Sequence, residues 1–184
     1  PSSVVTIEME ALSQAHGWFA TSKRTANLVC KRLGVESGQY VIPGTCPSPH
    51  QQGPQSNHIV NVATVTERKG HLLLVDALSQ ISDLDWTLDI VGALDRDVEC
   101  VQRVKDRIEK RGLAKRIRLV GEMDESGIDG AFASADLLVH TASFEAFGMG
   151  LTEALVRGLP VISTPAGALD GLESLAVDIV PSGE

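Results

Sequence analysis

Two glutamates lie eight positions apart, around a pair of glycines, in the stretch SFEAFGMGLTEAL at residues 143–155. Glu145 precedes Gly148 and Gly150, and Glu153 follows them where a helical pattern begins. The first N–H groups of a helix have no intrahelical partner and lie at the positive end of its dipole, so they bind phosphate. Glycines there let a ligand approach the backbone closely. Because carboxylates accept hydrogen bonds from hydroxyls, the spacing predicts a site for a sugar, a diphosphate and a ribose.

A structural interpretation of the two glutamates also fits the sequence. Glu145 can be a solvated loop residue, and Glu153 can simply favour the amino end of its helix, as acidic residues commonly do. The stretch GMGLTE half-matches the dinucleotide-binding pattern GxGxxG, but Glu153 occupies the third glycine position, and the stretch follows the fourth candidate strand rather than the first. An NAD-dependent oxidoreductase domain and a noncatalytic nucleotide-binding module are therefore alternative hypotheses.

The elements that must position these residues form an alternation of strands and helices. Six short apolar runs from His58 onward are typical of strands, with helical patterns between them: HIVNVATV, WTLDIVG, RIRLVG, ADLLVH, LPVIS and AVDIV. Runs that are mostly apolar rather than alternating are expected where helices cover both faces of a sheet. The pattern predicts an α/β, Rossmann-like doubly wound parallel sheet of about six strands with helices on both faces. Loops at the carboxyl ends of the strands would then meet at one edge and bind the ligand.

Residues before His58 follow a different pattern. A helical run at residues 3–15 and the strand-like stretch GWFATS precede a second helix, which we predict between Ser22 as N-cap and Gly34 as the residue after its end. The run VIPGTCPSPHQQGPQSN is too rich in Pro and Gly to continue either element and indicates a linker. We place a domain boundary near Cys46.

Composition and charge exclude several classes of protein. The net charge of -8 argues against nucleic-acid binding, which needs many Lys and Arg side chains against phosphates. No apolar stretch is long enough to cross a bilayer and no signal peptide is present, which favours a cytoplasmic protein. The chain begins without Met and stops just after a strand-like run, so we expect a piece of a longer protein. The cysteines do not have the spacing of metal ligands: Cys30, Cys46 and Cys100.

Two acidic triplets and one histidine are weaker site candidates. The triplets DLD at residues 83–85 and DRD at residues 95–97 resemble the metal-binding motif DxD. The first precedes a strand, on the wrong edge for the site, and Asp95 is expected to cap the next helix, so no metal is expected. His140 ends a strand-like run and could line the site, but we favour a structural role for it.

One long run resembles a known family. The stretch ADLLVHTASFEAFGMGLTEALVRGLPVISTPAG resembles the signature region of family 4 retaining glycosyltransferases, with their E-x7-E element at Glu145 and Glu153. Similarity continues in TERKGHLLLVDAL, LDIVGALDRD and RIRLVGEMDE, and FATS and VIPGT resemble the end of the amino-terminal domain and the hinge. The resemblance implies one half of a two-domain GT-B enzyme. Residues 1–46 would be the tail of the amino-terminal acceptor domain and the hinge, and residues 47–184 the nucleotide-sugar-binding domain, truncated at its carboxyl end.

The resemblance implies roles for the residues that bind the sugar nucleotide. Glu145 would contact the donor sugar and Glu153 the ribose. Backbone groups of the glycine-rich stretch, together with the glycine after a preceding strand-like run, would approach the sugar and the diphosphate: Phe147, Gly148, Met149, Gly150 and Gly121.

A basic pair would neutralise the leaving diphosphate in such an enzyme. Lys69 matches the lysine of this pair, but the arginine of the family is absent and Thr64 stands near its place. Arg68 is the expected substitute. Two cations and the helix amides would stabilise the charge that grows as the glycosidic bond breaks, so neither a metal nor another cofactor would be required.

The implied activity is transfer of a hexose from a nucleoside diphosphate sugar to an acceptor hydroxyl with retention of configuration. The acceptor would be a sugar, a lipid or a small molecule held largely by the amino-terminal domain, and peripheral membrane contact of the whole protein is compatible with this. We expect the present chain alone to bind the donor weakly and to be inactive as an enzyme.

Overall fold

The computed structural model of the protein describes residues 10–44 and 56–166, and the backbone of residues 177–179. The strands are β1 (Phe19–Ala20), β2 (Gln39–Tyr40), β3 (His58–Val62), β4 (Thr87–Val91), β5 (Ile117–Gly121), β6 (Leu137–His140), β7 (Val161–Ser163) and β8 (Val177–Ile179). The α-helices are α1 (Lys23–Leu33), α2 (His71–Ser79), α3 (Val98–Lys110), α4 (Glu125–Ser134) and α5 (Met149–Val156), and a 3-10 turn spans Glu67–Lys69.

Six of the strands form one parallel sheet. Their order is β5-β4-β3-β6-β7-β8, and every neighbouring pair is parallel. Counted within this sheet alone, the order is 3-2-1-4-5-6, which is the strand order of the Rossmann fold. The structure confirms the predicted doubly wound sheet. The direction of strand order reverses between β3 and β6, so the loops after these two strands border the crevice where such folds bind ligands.

Both faces of this sheet are covered by apolar side chains. On one face, Ile59 of β3 packs in a cluster with residues of α2 and α3, among them Leu74 and Val104. On the other face, Val60 packs with Phe132 of α4 and with residues of α5. Successive residues of a strand point to opposite faces, so a strand between two helical layers is expected to be mostly apolar rather than alternating. This explains why the strand sequences are mostly apolar runs.

The segment at residues 10–44 forms a smaller unit. Strands β1 and β2 pair in parallel, and α1 connects them. The Ser22 hydroxyl accepts a hydrogen bond from the Thr25 N–H at 3.1 Å, and Gly34 follows the helix with a φ of 68°. Both predicted ends of α1 are thus confirmed. Of the helical run predicted at residues 3–15, only residues 10–15 are described, and residues 10–14 are helical.

The cap of α3 differs from the prediction. Asp97 accepts a hydrogen bond from the Cys100 N–H at 2.9 Å, whereas Asp95 forms an ion pair with its neighbour Arg96. An N-cap side chain reaches the N–H groups of only the second and third helical residues, and α3 begins at Val98. Asp97, not Asp95, is therefore the capping residue.

Two further predictions concern the domain boundary and the absence of a membrane-spanning stretch. The proposed boundary near Cys46 and most of the linker lie outside the described residues. Among the helices in the described part of the chain, none is long and apolar enough to cross a bilayer.

Candidate functional site

The loops after β3 and β6 lie side by side, because these strands are neighbours in the sheet. The Ser143 N–H donates to the carbonyl of Arg68 at 2.9 Å, and the Thr141 hydroxyl donates to the carbonyl of Lys69 at 3.2 Å. These bonds hold the two loops together across the crevice at the point where strand order reverses. The structure therefore places them as one unit at the edge where a ligand is expected.

Gly70 permits this close approach. Its φ is +70°, and a Cβ at this position would lie 2.1 Å from the carbonyl oxygen of Thr141. Any other residue would be strained by the left-handed conformation and would also collide with the second loop. Lys69, the residue before Gly70, is brought to the second loop as a result.

A cavity of about 390 Å³ opens between the two loops and the amino end of α5. Lys69 lines it from the first loop, and His140, Glu145 and the stretch 146–150 line it from the second. The amino-terminal segment also contributes lining residues, which are Thr21 and Pro43. The cavity therefore joins three parts of the chain that are far apart in sequence.

An ion pair with a neighbouring histidine forms the charged part of the cavity. The Lys69 ammonium contacts Oε1 of Glu145, and the two side chains are only 15% and 12% exposed. Nε2 of His140 lies 3.5 Å from the same carboxylate oxygen, and this ring is 6% exposed. Burial lowers the pKa of His140 to about 4; Glu145 opposes this shift, and Lys69 and Arg68 add to it. The ring is therefore neutral at pH 7 in this structure.

The amino end of α5 supplies backbone donors to the same cavity. Gly148 precedes the helix with a φ of 96°, and within the described part of the chain no side chain caps it. The first intrahelical bond of this turn runs from the Thr152 N–H to the Gly148 carbonyl at 3.0 Å, so the preceding N–H groups have no helical acceptor. A Cβ on Gly150 would lie 3.3 Å from the carbonyl of Val62, which shows how closely the helix start packs on β3. This is the geometry of an anion site.

Helix α1 of the amino-terminal segment holds the middle of the second loop. The hydroxyls of Ser22 and Thr25 donate to the carbonyl of Ala146 at 2.5 and 2.9 Å. Ala146 lies between Glu145 and Phe147, so the cap of α1 also fixes the backbone on which the cavity residues are carried.

Most of the sequence-predicted site residues come together in this cavity. The lining includes the predicted lysine, the first glutamate and the glycine-rich stretch: Lys69, Glu145, Phe147, Gly148, Met149 and Gly150. Thr64 also lines the cavity. No metal-like cluster of three His, Cys, Asp or Glu side chains occurs among the residues described.

Three predicted residues lie outside the cavity lining. Arg68 is exposed, and its guanidinium donates to the carbonyl of Phe144. Glu153 is partly buried one turn further into α5, and Gly121 ends strand β5 at the edge of the sheet. Their assigned roles stay predictions.

The sequence favoured a structural role for His140 over a place in the site, and the structure places the residue in the cavity wall. Its position at the carboxyl end of a strand, five residues before Glu145, was the available signal. Thr21 and Pro43 were not predicted, because nothing in their local sequence indicates contact with a loop about a hundred residues away.

Comparison with known proteins identifies relatives of this chain. Residues 47–175 match the family described as Glycosyl transferases group 1. The chain is 33% identical over 111 residues to the lipopolysaccharide core biosynthesis mannosyltransferase LpsB of Rhizobium meliloti. The aligned region covers 59% of this chain and 31% of that protein. The chain is also 33% identical over 125 residues to a phosphatidyl-myo-inositol mannosyltransferase of Mycobacterium leprae, covering 64% of this chain and 31% of that protein. The chain thus spans about a third of the length of these curated relatives.

Solved structures resemble the whole described fold. A crystal structure of Anabaena Alr3699/HepE in complex with UDP-glucose superposes with a TM-score of 0.83 at 22% identity, covering 97% of this chain and 54% of that one. A glycosyltransferase from Rickettsia africae gives a TM-score of 0.82 at 19% identity, covering 96% and 53%. At this identity the likeness establishes the fold, which is the GT-B type expected from the sequence.

Proposed function

The chain belongs to the glycosyl transferases group 1 family, and on that premise we propose that it is the donor-binding half of a family 4 retaining glycosyltransferase. The whole enzyme would move a hexose from a nucleoside diphosphate sugar to an acceptor hydroxyl. Residues 47–184 would bind the donor. Residues 1–46 would be the end of the acceptor domain and the hinge, and this chain alone would be inactive.

One observation carries the proposal: a cation, a carboxylate and an uncapped helix start meet in one cavity at the switch point of the sheet. A diphosphate needs positive charge and N–H donors, and Lys69 with the amides near Gly148 supplies both. A hexose next to it needs acceptors for its hydroxyls, which Glu145 supplies.

The catalytic role of these groups would be to stabilise the leaving diphosphate. Negative charge grows on it as the glycosidic bond breaks, and fixed donors at that point lower the barrier. Lys69 would neutralise this charge from the loop after β3. Arg68 would join it by exchanging its contact with the Phe144 carbonyl for a phosphate oxygen. Charge supplied in this way makes a bound metal unnecessary.

The second glutamate, Glu153, would bind the ribose of the nucleoside. Glu153 lies on α5 one turn beyond the phosphate-binding amides, so a ribose attached to the diphosphate would reach its carboxylate. The names of the matched proteins support a hexose donor, since two are mannosyltransferases and one structure holds UDP-glucose. We infer the class of donor from this and leave its base and sugar to experiment.

The direct test uses the full-length protein and a panel of nucleoside diphosphate hexoses with sugar and lipid acceptors. We expect one donor to be consumed, and proton NMR of the product to show the anomeric configuration of the donor. Inversion of configuration would contradict the retaining assignment. A saturable change in NADH fluorescence on titration, with no use of any sugar nucleotide, would favour the oxidoreductase hypothesis instead.

A further inference from the structure

We propose that His140 is a positioning residue that holds the Glu145 carboxylate after the donor diphosphate has drawn Lys69 away from it. This inference rests on the proposed function of the cavity, because it concerns how the same site changes when the donor binds. It assigns a role to a residue that the expected roles of the site do not include.

The ion pair in the structure creates the need for such a residue. Lys69 is paired with Glu145, so the cation that would neutralise a diphosphate is engaged by a carboxylate. A diphosphate carries more negative charge than one carboxylate and would attract the ammonium more strongly. Donor binding therefore separates the pair, and Glu145 is left largely buried without its cation. Such a charge is costly unless another donor replaces the lost one.

His140 is placed to be that donor. Its Nε2 lies 3.5 Å from Oε1 of Glu145, which is just beyond hydrogen-bond distance. The same Nε2 is buried and has no hydrogen-bond partner among the described residues. A buried nitrogen without a partner is uncommon, so a change that brings it a partner would be favourable. A shift of a few tenths of an ångström would complete the bond.

The charges around His140 explain why the bond is made only in the donor complex. Lys69 and Arg68 face the ring from the loop after β3, Glu145 faces it from its own loop, and the ring of His71 lies beyond it on α2. In the free chain, burial and the two cations lower the pKa of His140 to about 4, against the effect of Glu145. A bound diphosphate offsets the cations and leaves Glu145 unopposed. The pKa of His140 then rises, so donor binding is accompanied by proton uptake at pH values between the pKa of the free chain and that of the complex.

His71 provides an internal comparison. It is also buried, both of its ring nitrogens lack partners among the described residues, and its pKa is lowered to about 4 by burial and by Lys69. Its ring faces the backbone carbonyls of Thr66 and Ala63 rather than a carboxylate. A diphosphate should affect it less, because no carboxylate is released beside it.

NMR titration of the histidine rings in this chain tests the inference. The probe is inorganic pyrophosphate at saturating concentration, and the His140 signal is assigned with His140→Gln. We expect pyrophosphate to raise the pKa of His140 by about one unit or more, and that of His71 by less. If the backbone amides of Gly148 and Met149 shift while the His140 titration does not, the inference is wrong and the proposed phosphate site stands. If no amide shifts with pyrophosphate or with any nucleoside diphosphate, the proposed function fails as well.

A variant reproduces the effect without a ligand. Lys69→Met removes the cation from Glu145, so we expect the pKa of His140 to be raised already in the free chain and pyrophosphate to add little. Arg68→Met is the matched control, since it removes a cation of the same loop that does not contact Glu145, and its effect should be smaller. An unchanged His140 titration in Lys69→Met would overturn the inference.

Kinetics of the full-length enzyme separate positioning from packing. His140→Gln keeps an N–H donor near Glu145, whereas His140→Leu keeps only apolar volume. We expect His140→Leu to lose about tenfold in kcat/KM, the size of one hydrogen bond to a charged group, and His140→Gln to recover most of it but to lose the pH dependence of the wild type. Equal activity of the leucine variant and the wild type would contradict the assignment.

Discussion

The same apolar residue types have opposite environments in two regions of the molecule. In the parallel-sheet domain at residues 56–166, Phe132 and Leu138 are buried in a continuous core. In the amino-terminal segment at residues 10–44, Phe19 is 68% exposed and Ile42 is 65% exposed. The sheet domain closes its core within its own residues, whereas the segment does not. This supports the proposal that the segment packs against a neighbouring domain in the whole protein.

The two regions nevertheless meet at the site. Hydroxyls of α1 bond to the Ala146 carbonyl, Thr21 and Pro43 line the cavity, and Leu28 of α1 lines a second pocket together with Phe144. Residues 10–44 contribute nothing to either core cluster among the described residues, yet they can still fix the loop that carries Glu145. The comparison teaches that stability and site geometry depend on different parts of this chain.

The largest expected effect contrasts two phenylalanines. Phe132→Ala should lower the free energy of unfolding by about 3 to 5 kcal/mol, because it leaves a cavity in a closed core. Phe19→Ala removes the same side chain from an exposed position and should change it by no more than about 0.5 kcal/mol. Urea denaturation followed by circular dichroism measures both. Similar losses in the two variants would show that the segment shares the core after all.

The next effect concerns ligand binding. Glu153→Ala should weaken binding of a nucleoside diphosphate, and Glu145→Ala should mainly impair use of the sugar nucleotide, each by about 1.5 to 3 kcal/mol or roughly tenfold or more. Isothermal calorimetry with the nucleotide alone and with the sugar nucleotide separates the two. Glu36→Ala, an exposed glutamate of the amino-terminal segment, is the control and should bind as the wild type does. Equal insensitivity of both cavity variants would make these glutamates structural.

A smaller effect measures the link between the regions. Ser22→Ala removes the cap of α1 and one bond to the Ala146 carbonyl, which should destabilise the helix by about 0.5 to 2 kcal/mol. Hydrogen exchange should then accelerate in α1 and also at the amides of residues 146–148. Ser13→Ala removes an exposed hydroxyl that bonds only locally, to the carbonyl of Glu10, and serves as the control. Faster exchange confined to α1 would mean that the loop does not depend on the segment.

Much of the fold could be predicted because strands that are buried on both faces have recognisably apolar sequences. The six apolar runs each correspond to a strand of the sheet, and Ser22 and Gly34 mark the ends of α1 where predicted. Asp95 and Asp97 lie two positions apart with the same side chain, so the sequence alone could not decide which one caps α3.

The site was less predictable, because the local sequence does not show where a side chain points or which residues far away in the chain it contacts. Lys69 and Glu145 follow strands, and their meeting at one edge follows from the parallel sheet. Nothing in the sequence shows that His140 turns toward Glu145, or that Ser22 reaches Ala146, 124 residues away.

Association in solution tests the exposed apolar surface itself. A chain that keeps Phe19, Val41 and Ile42 should associate, while a shortened chain beginning at Ser48 should be a folded monomer. Multi-angle light scattering distinguishes the two. A monodisperse monomer for the full chain, together with an unfolded shortened chain, would place the segment inside the domain and move the boundary away from Cys46.

The last prediction is that removal of metal ions has no effect on activity. Activity of the full-length protein should survive a metal chelator, because we propose that Lys69, Arg68 and the amides of α5 supply the positive charge for the diphosphate. The assay compares transfer rates with and without EDTA. Loss of transfer that Mn²⁺ restores would contradict this and would direct attention to the acidic residues of the whole protein.

The close contact at Gly70 has a consequence for engineering. A single added carbon at Gly70 would overlap the Thr141 carbonyl, so the loops after β3 and β6 fit each other closely and should be engineered together. A chimera that imports the loop after β3 from a relative must therefore keep glycine at position 70, and one that imports both loops from the same relative would keep their fit. We therefore expect exchange of both loops together to transfer donor preference better than exchange of one loop alone.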